Sequence, residues 1–376
     1  MKNRKLPEGW KVDRLGKVFL LIRNGANIKQ GKQQGGYPIT RIETIANSRI
    51  DINKVGYAGI YELGKYSDYL LEEGDILMSH INSEKHLGKT AIYENCELNM
   101  IHGMNLLCLR SNKKFILPKY VYYYFNSVKF KMQLPKIIKK SVNQASFSIN
   151  DLKYLKVIIP PLETQNEIVQ ALEKAEDALK KKREAIRLLD ELVKSRFIEM
   201  FGDPVKNPMK LPKVKLENLG DWKTGGTPLR SESKYYNGNI PWLSSGELNS
   251  IYCFNSAEMI TKLAIKESSA KIIEKGSLLL GMYDTAALKS TINMIECSCN
   301  QAIAYAKLDP RLVNTIYSYY CIQIGKDFYK SQQRGVRQKN LNLSMIKGLE
   351  IIMPNLQFQN QFADFVKHVE KLKFEM

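Results

Sequence analysis

The chain has 376 residues, 44% of them hydrophobic and 25% charged, which is ample apolar content for packed cores in two or three domains. Lys and Arg number 57 against 38 Asp and Glu, and the formal charge of +19 points to a polyanionic partner, most often nucleic acid. No apolar run approaches the ~20 residues that cross a bilayer, the opening MKNRKLPEGW lacks the apolar core of a secretion signal, and the six cysteines show neither CxxC pairs nor metal spacing, so a cytoplasmic chain with reduced thiols is expected.

In chain order, residues 1–160 read as a mixed α/β domain of short strands between Gly, Pro and Asn turns, with one late helix in the tyrosine-rich stretch KYVYYYFNSVKF (119–130). Three loops carry the cations and amides that pair with phosphates and base edges. The first, RNGANIKQGKQQGG (23–36), offers Arg23, Asn24, Lys29, Gln30, Lys32 and Gln33. The second, SHINSEKHLGK (79–89), follows the apolar strand LEEGDILMS and offers Ser79, His80, Asn82 and Lys89. The third, KKSVNQASFS (139–148), offers Asn143 and Gln144. His80 has no identifiable carboxylate or nucleophile beside it, so a contact or core role is expected rather than catalysis. The tyrosines at 122–124 are spaced for helix core rather than for stacking on bases.

Residues 161–203 change character: there is no glycine until Gly202, and apolar residues recur in alternating steps of four and three. The stripe is Ile168, Leu172, Ala175, Leu179, Lys182, Ile186, Leu189, Val193 and Arg196, a period near 3.5 that specifies a coiled-coil seam. Pro160 and Pro161 suit the helix start, and Gly202 with Pro204 stops it. A lone helix with one such seam needs a partner.

Residues 204–354 then repeat the first domain. Val142 to Asn166 aligns with Val336 to Asn360 at an offset of 194, with nine of twenty-five positions identical, among them Pro160/Pro354, Gln165/Gln359 and Asn166/Asn360. GGYPITRI (35–42) mirrors GNIPWLSS (238–245) on Pro38 and Pro241, LEEGDILMS mirrors IEKGSLLLG (273–281), and the tyrosine helix recurs as TIYSYYCIQIGK (315–326). An internal duplication is the simplest account. The loops recur with it: Thr227, Arg230 and Lys234 in the first, Tyr283 and Asp284 in the second, and Arg334, Arg337, Gln338 and Lys339 in the third. Arg337 is the single strongest base-reading candidate, at the position beside the repeated Gln144/Gln338. Residues 355–376 then start a second helix on the same frame, with Phe362, Val366 and Val369 as its seam.

At this point the chain resembles the specificity subunits of type I restriction–modification enzymes over essentially its whole length. The resemblance is carried by LPEGWKVDRLG (6–16), GGTPLRSESKYYNGNIPWLSSGEL (225–248), GVRQKNLNLSMIKGLEIIMP (335–354), and IIPPLETQNEI leading into the helix that ends RFIEMFGDP. It implies an α+β fold of two duplicated target-recognition domains, 1–160 and 204–354, separated by long coiled-coil spacer helices, 161–203 and 355–376. These would form an antiparallel pair whose second helix is truncated. It further implies double-stranded DNA with a bipartite site as ligand, methyltransferase (M) subunits, two in number, and restriction (R) subunits as partners, and no membrane. S-adenosylmethionine, ATP and Mg2+ would bind those partners and not this chain.

The chain has no Asn/Asp-Pro-Pro-aromatic motif for amino methylation, no Walker A loop, no GxGxxG and no metal-ligand spacing. A non-catalytic recognition subunit is therefore expected. The competing readings are a stand-alone DNA-binding protein, suggested by the shortened distal helix, and a nuclease or methylase with an unrecognised site.

Overall fold

The computed structural model describes residues 6–29, 35–94, 98–141, 144–283, 286–331 and 340–376. The chain divides into two compact units, Met1–Leu179 and Lys180–Met376. The division falls inside the long helix, so segment 161–203, expected to stand as an element of its own, contributes one half to each unit.

In the first unit the strands are β1 (Lys11–Arg14), β2 (Phe19–Asn24), β3 (Ile76–Ser79), β4 (Ile81–Asn82), β5 (Thr90–Ile92), β6 (Leu106–Ser111), β7 (Lys139–Lys140), β8 (Ala145–Ser146) and β9 (Lys156–Ile159). The helices are α1 (Leu15–Val18), α2 (Pro118–Asn126), α3 (Val128–Lys131), α4 (Ile149–Tyr154) and α5 (Leu162–Phe201). A four-stranded antiparallel sheet in the order β2-β6-β3-β5 forms the centre, β1 pairs with β9, and β4, β8 and β7 form a three-stranded sheet. Strand β3 is buried on both faces, which is why its sequence ILMS is apolar without alternation. One face packs Ile76 and Met78 against α2 residues Val121 and Phe125, and the other packs Leu77 against Ile45, Ala91 and Cys108.

The second unit repeats this plan with β10 (Lys213–Lys215), β11 (Lys223–Thr224), β12 (Tyr236–Leu243), β13 (Tyr252–Cys253), β14 (Glu258–Ile260), β15 (Leu278–Gly281), β16 (Ser290–Asn293), β17 (Ser298–Cys299), β18 (Ile303–Ala306) and β19 (Glu350–Ile352). Its helices are α6 (Lys262–Glu267), α7 (Thr315–Ile324), α8 (Lys326–Ser331), α9 (Leu343–Lys347) and α10 (Leu356–Glu375). The central sheet runs β11-β18-β15-β16-β13, and β10 pairs with β19 as β1 does with β9. Residues one beyond the aligned prolines occupy equivalent places: Ile39 bridges Ile101 in parallel, and Trp242 pairs with Ser298 in parallel.

The repeated residues at the start of each spacer helix have a structural purpose. Gln165 is buried; its amide nitrogen donates to the Phe115 and Pro160 carbonyls, both at 2.9 Å, and its Oε1 accepts the Leu117 N–H at 2.8 Å. Gln359, also buried, donates to the Pro354 carbonyl at 2.8 Å and accepts the Asn314 N–H at 3.0 Å. Each glutamine thus ties the first turn of a spacer helix to the loop preceding a tyrosine helix and satisfies backbone groups that burial would otherwise orphan. The tyrosine hydroxyls add matching bonds, Tyr120 to the Ile158 carbonyl at 2.9 Å and Tyr317 to the Ile352 carbonyl at 2.7 Å. Of the tyrosines expected in helix cores, Tyr124, Tyr317 and Tyr320 are buried, whereas Tyr122 and Tyr123 are half-buried against the edge of the core.

Helix α5 is 40 residues long, about 60 Å at ~1.5 Å per residue. In the second unit, its C-terminal part packs antiparallel to α10: the Phe197 ring lies 5.3 Å from Phe362, and Lys373 pairs with Asp190 at 2.6 Å. Seam residues Phe362, Val366, Val369 and Val193 are buried as expected, with Ile186 and Leu189 half-buried. The frame departs from expectation at both ends. Val193, Phe197 and Phe201 follow steps of four, so Phe197 enters the core where the heptad placed Arg196, because Tyr317 and Phe362 offer it an aromatic pocket. At the other end Gln165 and Val169 are buried with Ile168 beside them, while Leu172 and Leu179 are exposed, 39% and 54%. Leu172 and Leu179 therefore belong to no intrachain seam among the described residues. Among these residues, no helix is long and apolar enough to cross a membrane.

Candidate DNA interface

In each unit two of the proposed loops leave the same end of the central sheet. Asn24 pairs with Leu107, the Gly25 N–H donates to the Leu106 carbonyl, and Leu106 pairs with Ser79 across β3. The second unit has the same row: Thr224 pairs with Ala304, the Gly225 N–H donates to the Ile303 carbonyl, and Ile303 pairs with Gly281. Gly25 and Gly225 are required here, since a Cβ at either would stand 1.9 to 2.3 Å from backbone oxygens of Gly103 or Cys299.

The third loop joins the second in both units. Ile81 and Asn82 pair with Ser146 and Ala145 of β8, which hairpins onto Lys139 and Lys140 of β7. In the second unit Tyr283 bridges Asn340, and the Leu341 N–H donates to the Met282 carbonyl. The duplication therefore places loop two against the segment ahead of each spacer helix, an association that sequence spacing did not reveal.

The individual candidates differ. Asn24 and Lys29 are exposed, and Arg23 is half-buried with its guanidinium 3.7 Å over the Tyr69 ring. Asn82 uses its Oδ1 to accept the Ser83 N–H at 2.7 Å. Lys89 donates to the Ala46 carbonyl at 3.1 Å. Gln144 is exposed, and its carbonyl accepts from Ser141 to close the β7–β8 turn. Ser79 and His80 are corrections: they are only 1% and 6% exposed, on the inside of the strand end, and burial removes them from any surface that DNA could touch. His80 packs edge-on against Phe147 at 6.3 Å.

In the second unit Thr227 donates its hydroxyl to the Gln301 side chain. Arg230 lies about 5 Å from the Tyr236 and Trp242 rings and makes hydrogen bonds of 2.5 and 3.3 Å to both oxygens of Glu258. Lys234 pairs with Glu267 at 3.2 Å. These cations reach DNA only by exchanging a carboxylate for a phosphate or base. Sequence reading missed Glu258 and Glu267, because strand β14 and helix α6 were not resolved as partners of that loop. Tyr283 is exposed. Gln30, Lys32, Gln33, Asn143, Asp284, Arg334, Arg337, Gln338 and Lys339 lie outside the described residues.

Burial pushes the pKa of both His80 and His102 down to about 4 from 6.5, so both are neutral in the folded chain at pH 7. The His102 ring nitrogen Nε2 faces the Leu106 carbonyl at 2.9 Å. The unfolded chain takes up protons at these sites below pH 6.5, whereas the folded chain does so only near pH 4, so stability falls as pH drops through that window. Between pH 7 and 5.5 the expected loss is about 1 kcal/mol for His102, and less for the shallower His80. Urea midpoints measured at the two pH values check this, and His102→Gln should flatten the response; an equal midpoint at both would count against it.

The description "Type I restriction modification DNA specificity domain" matches residues 7–187 and 208–376, so each unit carries one copy. The MjaX type I restriction enzyme specificity subunit of Methanocaldococcus jannaschii is 30% identical over 383 aligned residues, covering 98% of this chain and 88% of that one. The S subunit of a type I restriction–modification system from M. genitalium shares the fold at 13% identity, with a TM-score of 0.59 over 99% of this chain and 92% of that one. A chain from a solved type I R-M system, reported with its complex assembly and conformational transition, gives 0.52 at 16% identity over 99% and 94%. With matched domains spanning nearly the whole chain, and the same duplicated sheet and loop arrangement in each, this chain belongs to the family of type I restriction–modification DNA specificity subunits.

Proposed function

We propose that the two units each read one part of a bipartite double-stranded DNA site, and that α5 and α10 fix the distance between the parts. As a specificity subunit the chain is the recognition component of its system and works with other restriction–modification subunits and DNA. The reading places methyl transfer from S-adenosylmethionine on methyltransferase subunits, two per chain, and ATP- and Mg2+-dependent cleavage on restriction subunits. The observation that supports it is the repeated loop row: in both units, loops rich in amides and cations leave one end of the sheet, and the second loop is pinned by the segment ahead of the spacer helix. Phosphate contacts from the +19 chain would set orientation, and base-edge contacts would set sequence.

The test is a domain exchange. Replacing residues 1–160 with the matching domain of another family member should change one half of the methylated sequence in cells and leave the other half and the gap unaltered. Genome-wide mapping of methylated bases reads this out. A change in both halves, or in neither, would sink the assignment of one half-site per unit.

A further inference from the structure

Arg23 is a stacked cation of the first unit whose N–H donors meet no acceptor among the described residues. It stands directly across from Cys108 in the β2–β6 register, on the sheet face that also carries Arg110 two residues further along β6. Arg110 is consumed: it donates to both oxygens of the buried Asp75 at 2.8 Å and to Glu72 at 2.5 Å. His102 on the same side is buried. Arg23 has neither arrangement. Among the described residues its side chain makes no hydrogen bond or ion pair, and its guanidinium carbon lies 3.7 Å from the centroid of the Tyr69 ring.

That geometry has a chemical consequence. Stacking engages the π face of a guanidinium and leaves its in-plane N–H donors unused. It also fixes the orientation of that plane, so less rotamer freedom is lost when the donors meet a ligand. Arg230 in the second unit shows the alternative: it stacks less closely, 4.9 and 5.0 Å, and its N–H edge is already occupied by Glu258. Arg23 is also one residue short of the end of β2, at the sheet end where loops one and two depart. A planar fork of donors, preset and unpaired at that place, matches the O6 and N7 acceptors of guanine in the major groove.

Resting on the reading that these loops meet DNA, we infer that Arg23 recognises a guanine in the half-site read by the first unit, and that Tyr69 is the positioning residue that presents it. Sequence offered no signal for Tyr69, which lies 46 residues away in the 3-10 segment Gly64–Tyr69.

The experiment is selection from a library of random duplexes by the full chain in its assembled complex at fixed salt, followed by sequencing. Arg23→Ala should relax one G·C position in one half-site by about 5- to 150-fold and leave the other half-site intact. Arg23→Lys keeps the charge but loses the fork, and should relax the same position if the alanine variant does not fold. Tyr69→Ala should reproduce part of the loss at that position, and Tyr69→Phe, which keeps the ring, should restore the wild-type motif. An unchanged motif in both Arg23 variants, relaxation at an A·T pair, or uniform weakening on all sequences would overturn the assignment to guanine. Equal damage from Tyr69→Phe and Tyr69→Ala would overturn the positioning role. A wild-type complex that selects no two-part motif would overturn the proposed function and this inference together, whereas a two-part motif insensitive to Arg23 overturns this inference alone.

Discussion

Phe362→Ala is expected to destabilise the second unit by about 3–5 kcal/mol, the cost of removing a large aromatic from a packed core together with the cavity left behind. Phe362 is fully buried and is the common neighbour of three rings, with centroids at 5.3 Å to Phe197, 5.8 Å to Phe201 and 5.5 Å to Tyr320. Phe197 and Phe201 are themselves stacked or edge-on against Tyr317, at 5.6 and 5.1 Å. One truncation therefore loosens α5, α7 and α10 at once. Neighbouring rings on three helices cannot all collapse into the void, so the upper part of the range applies. Trp222 and Trp242, 1% and 2% exposed in this unit, report its unfolding through fluorescence. The denaturation midpoint should fall with little change in slope, while Phe374→Ala, at a position 91% exposed, should stay within ~0.5 kcal/mol of wild type. A loss below about 1 kcal/mol for Phe362→Ala would mean that the aromatic cluster is not what holds α10 to α5.

The duplication was legible because a repeated fold needs the same residues at the same junctions. The alignment of Gln165 with Gln359 was visible, but not that each glutamine is a buried amide serving two loops, since its partners ahead of the tyrosine helix are 45 to 50 positions away in sequence. The helical seam was legible through its period, yet a heptad frame carried across 40 residues assumes one partner throughout. The chain instead offers α5 two surroundings, the core of the first unit around Val169 and the aromatic pocket around Phe197, and the frame slips between them. Loop candidates chosen by residue type were least secure. Ser79 and His80 have polar side chains but sit on the inward side of a strand end, and Arg230 and Lys234 have cations already met by Glu258 and Glu267. Composition names the groups that can bind DNA; only the fold says which of them are free to do so.

Inserting one heptad after Lys181 in α5 should lengthen the gap between the two half-sites and leave both half-site sequences unchanged. Lys180, Lys181, Lys182 and Arg183 are exposed. The last described contacts of α5 with α2 come earlier, Glu173 with Lys119 at 2.5 Å and Glu176 with Tyr123 at 3.0 Å. The first α5 residue packed on the core of the second unit comes later, at Leu189. Neither core would be entered by the insertion. Seven helical residues add about 10.5 Å along the axis and turn the helix by only about 20° from a whole number of turns, so the faces presented to the two units stay nearly in phase. At about 3.4 Å per base pair, the added length corresponds to a gap about three base pairs longer. A four-residue insertion would add about 6 Å, with a phase error of about 40°. It should lengthen the gap by about two base pairs rather than three. Mapping methylated bases for both variants separates a spacer from a tether: an unchanged gap, or the same broad range of gaps for every insertion, would show that α5 links the units without measuring the distance between their sites.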